Sequence, residues 1–308
     1  MHAVDTICNF RLQHVLQVAP VRHPDRSRFR STRARQVWDD GRMDEAPPGA
    51  RTARHSREEI RQLMMDAGRS ILVERGLGAG AGELTFKRVF ERIESTSGVR
   101  LTNASVIRRV WENQAQYQDD VLLSVALAGD TGGDMGETAA ALLPALAEFD
   151  LSTVDGRLRG LTEVCRTGGA ASLQALVGSR NWSVWVGVWV LGVTSPSSER
   201  GRRIRLALLE GYEATTDMWS ELHGALLDHL GFRIRAPFTL RQFTVSVGAL
   251  VEGCALRAGA DQDGSVLERP TGPGGRPQEW TLFAVGLEAL AMQYVELAPE
   301  WTGPAGSS

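Results

Sequence analysis

From Ser56 onward, apolar residues recur every three to four positions, stretch after stretch, and alternation of period two is nearly absent. That pattern commits the chain to packed amphipathic helices, because only a helix brings positions i, i+3, i+4 and i+7 onto one face. Ile60, Leu63, Met64, Ala67, Ile71 and Leu72 make the first stripe, which stops at Gly76. Ser56 and Glu59 stand before it at the spacing of a capping box, in which each side chain satisfies the other residue's amide. The expected class is all-α, with 232–238 the only stretch ambiguous between strand and loop.

The second helix is expected over 85–96, with Phe86, Val89, Phe90 and Ile93 on one face. A tight turn at Ser97, Gly98 and Val99 follows, and a short third helix is expected over 103–110. On a helical wheel Val106, Ile107 and Val110 gather on one side. Ala104, Ser105 and Arg108 point the other way, flanked by Thr102 and Arg109. A small helix with a polar face and an apolar back suits the major groove of B-DNA. A fourth helix is expected from 112 or 113 to about 128.

The run GLGAGAG at 76–82 has glycines at alternate positions but follows a helix. A phosphate-cradling loop would follow a strand and open a helix, so this run reads as a connector. A glycine-rich break at 129–136 marks the expected domain boundary. Further helices are expected over 137–148, 153–166, 170–178, 181–193, 198–230, 240–258 and 278–296, with a loop over 259–277. Thr239 and Gln242 form a second capping-box pair.

Composition narrows the function classes. The net charge of −3 across 308 residues excludes a uniformly basic nucleic-acid binder, so any DNA contact must be a local basic patch. Lys87 is the sole lysine. Cys8, Cys165 and Cys254 are isolated, and neither a disulfide framework nor a metal site is expected. No cofactor loop exists. No nucleophile, base and orienter stand at a recognisable spacing, so no enzymatic activity is expected. The longest apolar run, 182–193, is too short to span a bilayer, and a cytoplasmic, reduced setting without a membrane partner is expected. Residues 1–55 are rich in arginine and proline and are expected to be a disordered basic extension. Either they form an arm that tracks phosphate or enters the minor groove, or translation begins at Met43 and residues 1–42 are upstream sequence.

The helix order and the motifs of 56–128 resemble TetR-family (tetracycline-repressor-like) transcriptional regulators. The matching residues are the first helix at 60–76, Leu84, Thr85 and Phe86 at the start of the second, and Gly98 and Val99 at the turn. Asn103 through Val110 with the trailing Trp111 fall where the family's recognition helix lies. Gln116 and Tyr117 open the fourth helix. The segment from Thr85 to Thr102 is longer than usual. Ile107 and Val106 replace the recognition-helix aromatic, and Asn113 and Gln114 replace a basic residue.

The resemblance implies a ligand-responsive regulator, expected to be a repressor, that binds a palindromic double-stranded DNA operator as a homodimer. The expected DNA-contacting residues are Thr85, Lys87, Arg88, Arg100, Thr102, Asn103, Ala104, Ser105, Arg108, Arg109, Trp111 and Gln114. Arg108 is the candidate for bidentate guanine readout. Lys87, Arg88, Arg100 and Arg109 would meet phosphate. Thr102 is as readily a plain helix cap, and Trp111 reads first as a core residue that locks the third helix onto the first, though its indole N–H could reach a phosphate.

For residues 129–308 the resemblance implies an effector-binding and dimerisation domain. Trp182, Trp185 and Trp189 share one helical face, which is either core or the wall of an unknown small-molecule effector's pocket, completed by Tyr212, Met218 and Trp219. The last two helices are apolar on more than one face, so a second chain is expected to bury one of them. The expected interface residues are Phe243, Val247, Leu250, Val251, Cys254, Trp280, Phe283, Leu287, Leu290 and Tyr294. The alternative expectation is a helical adaptor of the same fold without specific DNA binding.

Overall fold

A computed structural model describes residues 55–77, 81–106, 109–128, 138, 142, 144–195, 197–260, 266–272 and 275–303, apart from the side chains of Ala104 and Ser105. The N-terminal extension, the 129–136 break, residues 137, 139–141 and 143 of the helix expected at 137–148, and Ile107 and Arg108 lie outside the described residues.

The chain is mainly helical, as its periodicity requires. Helix α1 (Arg57–Arg75) starts at the expected capping box: Glu59 N donates to Ser56 Oγ at 3.1 Å, and Ser56 N donates to Glu59 Oε2 at 2.7 Å. Helix α2 (Phe86–Ser97) is capped by Thr85 and closed by Gly98 at φ 72°, a left-handed conformation that favours glycine. Helix α3 (Asn103–Val106) is shorter than the 103–110 expected, although Val110 N still donates to Val106 O at 3.0 Å. Helix α4 (Gln114–Ala128) follows.

The body contains α5 (Val154–Gly178), α6 (Arg180–Thr194), α7 (Glu199–Leu230) and α8 (Leu240–Gly259), the last behind its expected Thr239–Gln242 capping box. Helix α9 (Leu282–Tyr294) completes it. Four short strands interrupt the all-helical expectation. β1 (Phe232–Ile234) pairs antiparallel with β4 (Val295–Leu297), and β2 (Leu267–Arg269) with β3 (Gln278–Trp280). The 259–277 loop therefore carries a strand, and the helix expected at 278–296 is trimmed at both ends by pairing.

The two helices expected at 153–166 and 170–178 are one. Gly168 and Gly169 invite a break when read as sequence, yet both are buried inside α5. A Cβ on Gly169 would lie 3.1 Å from the Ala284 backbone, and one on Gly168 would lie 3.0 Å from Leu142. The glycines let α9 and the 142 region approach α5 closely, and packing offsets their poor helix propensity.

Two apolar clusters result. The first joins α1, α2 and α4 to α6 and the start of α7, through Met64, Leu72, Trp111, Tyr117, Leu122, Trp185 and Ile204. The core is thus continuous from the first four helices into the body. The second lies among α5, the end of α7, α8 and α9. Among the described residues no helix is long and apolar enough to cross a membrane.

Candidate ligand cavity and polar helix face

Helices α5, α7, α8 and α9 do not close completely on one another. They leave a cavity of about 430 Å³, within the size range of small-molecule sites. Helices α7 and α8 form one long wall: Tyr212 pairs with Glu252, and Ser220 and His223 with Thr244, so the two helices run antiparallel. Leu161, Cys165, Phe283, Leu287 and Ala291 supply the apolar opposite wall. Leu209 and Val245, both more than half exposed, stand where the lining reaches the surface.

Polar groups in the lining are few and mostly paired. Tyr212 Oη donates to Glu252 Oε2 at 3.1 Å. Burial raises both the Glu252 carboxyl and the Tyr212 phenol above their ordinary values, with the hydrogen bond partly opposing the rise at Glu252. His223 Nδ1 lies 3.0 Å from Thr244 Oγ1, and its ring packs edge-on against Phe243 at 5.3 Å. Burial holds its imidazole down to about 4, so it is neutral near pH 7. Burial likewise pushes the Cys165 thiol up, which makes it inert. Thr138 Oγ1 is buried without a hydrogen-bond partner among the described residues. Arg241 is engaged by Glu213 at 2.5 Å and Asp217 at 3.1 Å. No group of acidic, His and Cys side chains among the described residues could hold a metal ion.

The aromatic set expected around an effector is divided. Tyr212 and Trp219 line the cavity. Trp182 and Trp185 do not. Their rings stack at 5.3 Å within the first core cluster, because α6 turns that face towards α1, α4 and α7. Trp189, two turns from Trp182, is 41% exposed. Tyr212 bridges the two regions, its ring edge-on to Trp185 at 5.3 Å and its hydroxyl at Glu252.

The stripe expected at a dimer interface also faces inward. Phe243, Val247, Val251, Phe283 and Leu287 line the cavity. Trp280 is buried, with Arg269 stacked 4.2 Å from its ring and its indole N–H donating to Thr271 Oγ1 at 2.9 Å. Leu250 packs towards Gly286. Leu290, Cys254 and Tyr294 are partly buried in the second cluster, Tyr294 Oη lying 2.9 Å from Ser246 Oγ. The apolar side chains of α8 and α9 that face outward are Val245, Leu256, Leu282 and Met292. Both faces are apolar, and periodicity alone does not say which one meets the core.

Around α2 and α3, Thr85, Lys87, Asn103 and Gln114 surround one shallow depression with Phe86 and Phe90. Thr85 Oγ1 accepts from Arg88 N at 3.3 Å, and Gln114 Oε1 accepts from Phe86 N at 3.0 Å. Both side chains thus cap α2. Thr102, Lys87 and Arg109 are on the surface. Arg88 is paired with Glu83, and Arg100 with Glu94 at 2.5 Å. Trp111 is buried, donating from Nε1 to Asp120 Oδ2 at 3.0 Å. Of its two expected roles, core or phosphate contact, the structure shows the core one, since its one donor is spent inside.

Sequence reading passed over Glu252, Thr244 and Ser220, and weighed His223 only with His229 as a poor metal pair. The available signal was polar side chains on otherwise apolar helical faces, Thr244 and Glu252 being eight apart and so aligned. Comparison with protein-family models, curated proteins and solved structures gives no match.

Proposed function

We propose that this chain is a cytoplasmic, ligand-responsive transcriptional regulator, most simply a repressor. In this reading it binds a palindromic operator as a homodimer through the helix-turn-helix of α2 and α3. The observation that carries the reading is the cavity: apolar, of ligand size, with a few convergent polar groups, in a helical body joined by continuous core to the helix pair. Effector binding at Tyr212 would be felt at Trp185, and through α6 and α4 at the reading helices. An effector acts by preferring one of two arrangements of those helices. A two-fold dimer would set its reading heads about 34–36 Å apart, one DNA turn. The outward apolar residues of α8 and α9 are the surface available for it.

The test is fluorescence anisotropy of the dimer with palindromic sequences selected from a random duplex pool. Salt-dependent, sequence-specific binding that Arg108→Ala reduces by about 1–3 kcal/mol is expected. A folded dimer that selects no sequence would sink the reading.

A second reading is a helical adaptor of the same fold. The pairing of Arg88 with Glu83 and Arg100 with Glu94 favours it, because carboxylates already neutralise two of the cations meant for phosphate. Under it, Arg108→Ala changes no DNA binding.

A further inference from the structure

Three charged side chains line the cavity among the described residues: Glu213, Arg241 and Glu252. Glu213 and Arg241 cancel, and Arg241 also holds Asp217. Among the described residues Glu252 has only the Tyr212 hydroxyl: no arginine or histidine of that set pairs with it, and the histidine in the lining, His223, is neutral near pH 7 and held by Thr244. A half-buried carboxylate with one neutral donor is an expensive arrangement to leave uncompensated.

What surrounds it suits a positive charge. The ring of Tyr212 is beside it. Further along α7 come Trp219 and then His223, against which Phe243 packs. Aromatic faces attract cations once water is excluded. Tyr212 and Trp219 are seven residues apart on one helix, about 10 Å along its axis. The rest of the lining is mostly apolar, with the hydroxyls of Ser172, Thr215, Thr216 and Thr138 as further polar points, that of Thr138 without a hydrogen-bond partner among the described residues.

We propose that the cavity takes an amphiphilic organic cation, its charged group against Glu252 and its apolar body along Trp219 and Phe243. The proposal rests on the cavity being the effector site of the function proposed above. A carboxylic acid or other anion is disfavoured, because it would meet Glu252 and find the arginine already occupied. The cavity therefore discriminates by charge as well as by size, and Glu252 is the residue that sets the sign.

Three fluorogenic probes of related size test this on the full-length protein: berberine, a permanent flat cation; N-phenyl-1-naphthylamine, neutral; and 8-anilinonaphthalene-1-sulfonate, an anion. Berberine is expected to bind at least about tenfold more tightly than either of the others, a difference of about 1.4 kcal/mol. Glu252→Gln keeps the Tyr212 hydrogen bond. It should remove that preference while leaving the neutral probe within about twofold, which also shows the variant is folded. Equal affinity for all three probes, or berberine binding unchanged in Glu252→Gln, overturns the proposal. Failure of every probe to bind folded protein overturns it together with the cavity reading. Charge-selective binding that leaves an operator complex untouched supports the cation site and counts against the regulator reading alone.

Discussion

Tyr212 packs its ring edge-on against Trp185 and donates its hydroxyl to Glu252, so one side chain belongs to both the N-terminal core and the cavity. Those two roles separate by mutation. Tyr212→Phe keeps the ring contact and removes the donor, and should cost about 1 kcal/mol. It should also raise the Glu252 carboxyl further, since that hydrogen bond opposes the rise caused by burial. Tyr212→Ala removes the ring as well and should cost about 3–5 kcal/mol. Urea unfolding of both variants checks the split. Equal losses would mean the ring contact contributes nothing.

Gly68 and Tyr117 are coupled across the α1–α4 contact. Tyr117 Oη donates to Met64 O at 2.9 Å, and a Cβ on Gly68 would run into that hydroxyl and lie 2.9 Å from Val121 Cγ2. Gly68→Ala should therefore destabilise by about 1–3 kcal/mol despite alanine's better helix propensity. Adding Tyr117→Phe removes the oxygen that clashes and should recover part of that loss. A double-mutant cycle measures the coupling, and strict additivity would show that the hydroxyl is not the obstacle.

Gly248 sits on α8 in the cavity wall, and a Cβ there would meet nothing within 4 Å. Gly248→Leu should place an apolar side chain in the cavity from a Cβ position that is open. The fold should gain up to about 1 kcal/mol from helix propensity, while binding of the neutral probe falls at least about tenfold. Thermal unfolding and a fluorescence titration together check it. Unchanged probe binding would place the ligand elsewhere.

His223 should make the fold acid-sensitive. Its folded value, about 4, lies below the ordinary 6.5, so the folded state favours the neutral ring. Stability from this group is complete above about pH 6.5. It falls as pH drops towards 4, because the unfolded chain takes up the proton first. The full loss is at most about 3 kcal/mol, less to the extent that the cavity holds water. His223→Gln should flatten the stability profile between pH 6.5 and 4. An unaltered slope in that variant would assign the acid sensitivity to other groups.

Local structure was legible in the sequence wherever its cause is local. A capping box needs two residues three apart, and both Ser56 with Glu59 and Thr239 with Gln242 form one where their spacing predicts it. The Thr85 start and Gly98 stop of α2 follow from a hydroxyl that can cap and a residue that tolerates positive φ. Periodicity likewise pointed to inward faces on α8 and α9 and at Trp182 and Trp185, although Trp189 on the same stripe is exposed.

What buries them was decided only in three dimensions. A stripe at helical spacing needs an apolar partner but does not name it. Trp182 and Trp185 met the N-terminal core, and Phe243, Val247 and Phe283 met a cavity inside their own chain. Gly168 and Gly169, helix breakers by propensity, stay helical because Leu142 and Ala284 press against them. Glu252 lies 40 residues from Tyr212, and Thr244 lies 21 from His223, separations that carry no local signal. Caps and faces act over one or two turns and are written in the chain; a cavity exists only where four helices fail to close, and that depends on tertiary packing.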